Sequence, residues 1–153
     1  MKNILNFSHK NSVIDRINKI DPSDKGLWGK MNVNGMVCHL ADQIRMAMGE
    51  LDTQYVGNRT TKYILKPLVL LGVPTPKGKV KTVRELDQNK DGTKPTTLSA
   101  DKASLINLIN RFESAFPEFK TNYRHPAFGQ MNKKEWGRLV YIHLDYHLRQ
   151  FNR

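Results

Sequence analysis

Cysteine is almost absent: Cys38 is the single one in 153 residues. No intramolecular disulfide can brace the chain, and a reducing compartment is the expected setting. Long apolar runs are missing too. The longest, Leu68 to Val73, falls far short of the ~20 residues that span a bilayer, so no membrane partner is expected. The first residues, MKNILNFSHKNSVIDR, lack the ~7–15-residue apolar core of a secretory signal. A cytoplasmic protein is the reading that follows. Acidic side chains are the third shortage, with 14 Asp and Glu against 25 Lys and Arg and a net charge of +11. Such an excess can serve nucleic acid, an anionic surface or an anionic substrate. The cations are spread along the chain, and the densest group, Lys77, Lys79, Lys81 and Arg84, has no aromatic interleaving. A solvated basic surface is therefore expected, and nucleic acid is a minor candidate.

What is present is an ordinary globular composition, 39% hydrophobic and 25% charged, sized for one domain over residues 1–153. Four long helical segments can be read. The first spans Ser12 to Ile20, with Val13, Ile14, Ile17 and Ile20 at helical spacing before Asp21-Pro22. The second runs from a cap at Asn32 to Glu50, striped by Val33, Met36, Val37, Leu40, Ile44, Ala47 and Met48. The third follows a cap at Ser99, has Asp101 in its first turn and apolar residues from Leu105 to Phe116, and stops at Pro117. The fourth is capped by Asn132 with Glu135 reaching back, is stapled by Met131 and Trp136, and ends near Phe151. Thr60 to Leu71 reads as a short helix kinked or restarted at Pro67. Val73 to Thr97 reads as irregular, with a short strand conceivable at Val80–Val83. A connection this long needs a purpose; in a bundle it can be the crossover that lets helices two and three run parallel. The fold class expected is an all-α four-helix bundle.

The last helix, Trp136 to Phe151, reads WGRLVYIHLDYHLRQF. At about 100° per residue, Trp136, Leu139, Val140, His143, His147, Gln150 and Phe151 share one inward arc, with both histidines at its centre. Four residues apart, their β-carbons lie about 5–6 Å from each other, and two imidazoles so placed can converge on one ion. The alternative is a pair of core histidines bonded to neighbours. Each neutral ring must then find a donor and an acceptor partner in an apolar interior, where an unpaired polar group costs about 1–3 kcal/mol. The pattern leaves both readings open.

A third ligand would come from His9, His39 or His125. His9 precedes the first helix and is expected on the surface. His125 belongs to the loop His125-Pro126-Ala127-Phe128-Gly129, where it either lines the mouth of the site or fixes the loop. His39 flanks the stripe of the second helix beside Met36, Gln43 and Met46. It is the first choice because a rigid helix holds a ligand best; its plain alternative is an interface histidine with one hydrogen bond. Gln150, one turn past His147, is placed to bond a ligand ring or a metal-bound water. Asp145 lies about 200° round the wheel from His143 and pairs more naturally with Arg149. No Glu stands where an H-E-x-x-H protease needs one. Asp42, Arg45 and Arg138 can reach the mouth of the site but are expected on the surface, Cys38 as a small buried residue, and Trp28, Trp136 and Tyr141 in core or rim packing.

Trp28-Gly29-Lys30-Met31, His39, the loop from His125 to Gly129 and the His143-x-x-x-His147 helix with Gln150 resemble the DinB/YfiT-like superfamily. More narrowly they resemble a domain-of-unknown-function subfamily within it. The resemblance covers about Trp28 to Phe151 and is weakest over 73–97. It implies an up-down-down-up four-helix bundle and a three-histidine metal centre, here His39, His143 and His147. Many members carry a second histidine directly before the last ligand; this chain has Tyr146 there.

Three neutral imidazoles leave a divalent ion open to water or substrate, with its charge uncompensated, so a bound water or thiol is strongly acidified. The resemblance points to metal-assisted hydrolysis, or to transfer or isomerisation with a low-molecular-weight thiol cofactor; histidine-rich sites accept zinc, nickel, iron or cobalt. The expected partners are a small-molecule substrate or that thiol, with homodimerisation open. Two other functions compete: a non-catalytic stress-related metal-binding or interaction protein, and a basic nucleic-acid-binding module acting through Lys77 to Arg84.

Overall fold

The computed structural model describes residues 1–115 and 124–153. It is mostly helical, with five α-helices, 52% helical content and a two-stranded sheet. Phe116 and Pro117, expected to finish and stop the third long helix, lie outside the described residues.

Helix α1 spans Phe7–Asn18 and buries Val13 and Ile17. It starts five residues ahead of the expected Ser12, because the Asn6 side chain accepts the His9 N–H at 3.1 Å. Ser8 to Asn11 are polar, so apolar periodicity could not signal that first turn. Helix α2 spans Val33–Ala47. Asn32 caps it as expected, accepting from the Gly35 N–H at 2.7 Å. It stops short of Glu50, since the chain turns at Gly49, φ 73°. Nearly every α2 residue is buried, charged Asp42 included.

The Thr60–Leu71 stretch is a π-helical turn, Thr61–Leu65, running into helix α3, Lys66–Leu71. Pro67 sits in the first turn of α3, where its missing N–H costs no hydrogen bond. None of these residues is buried, and Tyr63, Ile64, Leu65, Leu68 and Leu71 are exposed. Val80–Val83 forms no strand; it leads into a 3-10 turn at Arg84–Leu86, whose Leu86 side chain is buried. Val80-Lys81-Thr82-Val83 has no partner strand among the described residues.

Helix α4, Leu98–Arg111, is capped by Thr97 rather than Ser99. The Thr97 hydroxyl oxygen accepts the Ala100 N–H. Asp101 folds back to take the Thr96 N–H at 2.9 Å and its hydroxyl at 2.7 Å, which sets the entry two residues early. Strands β1, Arg124–His125, and β2, Gly129–Gln130, make an antiparallel hairpin where the sequence suggested only a loop. Helix α5, Lys133–Gln150, opens with the expected capping box. The Asn132 side chain accepts the Glu135 N–H at 3.0 Å, and the Glu135 carboxylate accepts the Asn132 N–H at 2.9 Å.

Helix α2 packs on α4 and α5, α1 packs on the same two, and α3 lies on α5. One hydrophobic core draws on all four long helices: Val13 and Ile17, Met36, Leu40 and Ile44, Leu105 and Ile109, and Trp136, Val140, Leu144 and Leu148. Trp28, just before α2, is bonded to Gln150 at the end of α5. His39, seven residues into α2, meets His143 and His147 farther up α5. The two helices therefore run antiparallel, and the histidines lie between them.

Candidate metal centre

His39 projects from α2, and His143 and His147 project from one face of α5, a turn apart. The Nε2 atoms of His39 and His143 are 3.1 Å apart, as are those of His147 and His143. All three ligand atoms lie within 4.8 Å of one another. For an ion about 2.0–2.1 Å from each nitrogen, neighbouring ligand nitrogens fall about 2.9–3.4 Å apart.

The outer nitrogens decide which atoms face inward. His39 Nδ1 lies 2.8 Å from the Leu86 carbonyl oxygen, which only accepts, so Nδ1 carries the proton and Nε2 a free lone pair. His147 Nδ1 lies 2.8 Å from Gln150 Oε1. The Gln150 amide is oriented by its nitrogen, which donates to the Trp28 carbonyl at 2.6 Å. His147 therefore also holds its proton on Nδ1 and presents Nε2 as a lone pair. His143 faces both lone pairs with one nitrogen, while its Nδ1 is buried with no partner. As a donor through Nε2 it can serve only one neighbour; as an Nδ1–H tautomer it completes three converging lone pairs and leaves a buried N–H orphaned. A cation satisfies the three converging lone pairs of the second arrangement. The donor set fits a divalent ion.

Electrostatics keep the rings neutral. Burial pushes His143 well below the ordinary histidine value, aided by the nearby His147, His39 and His125. Burial, with His39 beside it, lowers His147 to about 3. Burial also lowers His39, opposed by its bond to Leu86. His39 and His147 are buried and His143 is half-buried, with its Nδ1 atom shielded from solvent.

The matching family model is described as "Protein of unknown function (DUF1569)" and covers residues 1–153. The chain belongs to the DUF1569 family. No curated protein and no solved structure matches it. The DUF1569 description carries no activity, so the reading of the site rests on the residues themselves.

Gln150, expected to bond a ligand ring or a metal-bound water, bonds the His147 ring. Its approach to Trp28 depends on Gly29, φ 78°, where a β-carbon would stand 2.9 Å from Gln150 Nε2. His125 stands outside the cluster. Its Nδ1 accepts the Ala127 and Phe128 N–H groups at 3.1 and 3.2 Å, and its ring stacks on Phe128, so it fixes the hairpin. His9 is also outside, bonded to the Asn3 N–H. Asp145 pairs with Arg149 as expected and more closely with Arg16. Cys38 is buried, its thiol pushed up to about 12 by burial and by Asp101. Tyr146 accepts from Trp28 Nε1 and the Gly78 N–H, and its ring meets the His147 ring edge-on.

Asp42 needs correction. Expected on the surface, it is fully buried and accepts from Arg45, Gln88 and both the N–H and hydroxyl of Thr93. Those bonds tether the segment just after Leu86, so Asp42 supports the carbonyl that orients His39. Sequence reasoning missed this support, because a backbone carbonyl acceptor has no residue signature.

Proposed function

We propose that this DUF1569 protein is a DinB-like metalloprotein in which His39, His143 and His147 hold one divalent ion, and that it acts as a hydrolase or a thiol-dependent transferase. We read the ring of packed long helices as the up-down-down-up bundle of that superfamily, in a single domain over residues 1–153. The observation that carries the metal is the convergence of three Nε2 atoms, two of them with tautomers fixed by Leu86 and Gln150. Structural sites close the ion with four protein ligands; three histidines leave an open position, as catalytic sites do.

A bound divalent ion supplies Lewis acidity, which makes a coordinated water or thiol a nucleophile near neutral pH. The chain's residues supply the rest. Leu86 and Gln150 hold two imidazoles in the ligating tautomer and fix their rings. Of the three rings only His143 is half-buried, so we read its side as the route for substrate. Zinc, nickel and iron all suit imidazole donors.

The test is metal content together with turnover. Tag-free protein is expected to retain about one divalent ion per chain by elemental analysis, and the His143→Ala/His147→Ala variant to lose it. Equal metal in both proteins rejects the assignment. A panel of esters and low-molecular-weight thiols then separates an enzyme, which turns one over, from a non-catalytic metal-binding protein, which only gains thermal stability from the ion.

A further inference from the structure

Among the described residues, the buried side-chain polar atoms without a hydrogen-bond partner are the Gln43 Nε2 and Oε1, the Trp136 Nε1 and the His143 Nδ1. An orphaned amide in a helix interior is costly to stability, and each such group calls for an explanation. Gln43 is 3% exposed and stands one helical turn past His39, whose ring meets His143 of α5. Helical side chains lean toward the N-terminus of their own helix. Gln43 thus leans back toward the level of His39. In the antiparallel partner, His143 leans the opposite way, toward the level of Gln43.

We propose that Gln43 is the outer-shell positioning residue of His143, accepting its Nδ1–H directly or through one bridging water when His143 ligates the ion through Nε2. The inference rests on the metal reading above. The pattern behind it is a set with one member missing. His39 donates its outer N–H to the Leu86 carbonyl, and His147 donates its own to the Gln150 amide oxygen. Metal-ligating histidines almost always have such a partner. His143 lacks one, and the unpaired buried acceptor on the facing helix is Gln43 Oε1. Ligation through Nε2 places the His143 proton on Nδ1, which creates the donor that this acceptor needs. No bond is made or broken; one amide side chain turns, or one water enters. Gln43 would then do on α2 what Gln150 does on α5.

The experiment is zinc affinity by chelator competition, with thermal melts of metal-free and zinc-loaded protein, for wild type, Gln43→Leu and Gln43→Glu. Gln43→Leu is expected to bind zinc about 10–100-fold more weakly. Without zinc it should melt at or above the wild-type temperature, since it replaces an unpaired buried amide by an apolar group of similar size. Gln43→Glu, which keeps the acceptor and adds charge, should restore affinity. The proposal is overturned if Gln43→Leu binds zinc as tightly as wild type, or if its melting temperature falls equally with and without zinc at unchanged affinity. Wild-type protein that takes up no zinc at all would reject the metal reading itself, and this proposal with it. Wild type that binds zinc beside an indifferent Gln43→Leu rejects the positioning role alone.

Discussion

At His125 one ring nitrogen holds a turn together. Its Nδ1 accepts two backbone N–H groups, which a protonated ring cannot do. Burial, with Lys66 nearby, holds its pKa down to about 4 from the usual 6.5. The neutral form is thus the one the fold favours. Above pH 6.5 both folded and unfolded chains are neutral there, and nothing is lost. As pH falls from 6.5 toward 4, the unfolded chain takes up a proton that the folded chain refuses, so stability drops. The loss levels off near the folded value, at about 2 kcal/mol once partial solvent contact of the ring is allowed for. His125→Asn keeps an acceptor near the same place without a titrating group. In metal-free protein it is expected to flatten the dependence of urea stability on pH over that window, at the cost of the Phe128 stack. An unchanged slope would show that His125 does not carry it. The buried cluster histidines share this direction, which is why the comparison must be between variant and wild type.

At the scale of elements, caps and stripes were legible and non-local partners were not. Asn32 and the Asn132–Glu135 box name their helices because the capping side chains act within three residues. The α1 start was missed because its first turn is polar, and the α4 start because Asp101 reaches back to Thr96 instead of serving a cap at Ser99. Two-residue strands have no periodicity to read, so the hairpin showed only as a loop. The long connection, read from the sequence as a crossover between helices, also reaches the histidine cluster. It delivers the Leu86 carbonyl to His39 and is pinned by buried Asp42. Asp42→Ala removes an acceptor used by Arg45, Gln88 and Thr93, and is expected to cost about 3 kcal/mol in urea denaturation. A loss below about 1 kcal/mol would mean that water replaces those bonds readily and that the segment is held by other contacts.

For the whole molecule, the helical class followed from the sequence, while the way the long helices pack needed coordinates. The histidine pair on α5 was visible as an i, i+4 motif on a buried face. His39 stood out only as a flanking residue until the antiparallel packing of α2 and α5 brought its Nε2 to His143. The basic surface is partly engaged within the chain, with Lys77 over the Trp28 ring and Arg84 paired to Asp91. No helix is long and apolar enough to cross a membrane among the described residues. X-ray absorption on the zinc-loaded protein tests the central claim most directly, because it counts and identifies the ligand atoms. Three histidine nitrogens at about 2.0–2.1 Å plus at least one light oxygen-type ligand is the predicted first shell. With no thiol in the sample, a shell containing sulfur, or one of oxygen alone, would contradict a centre built from His39, His143 and His147.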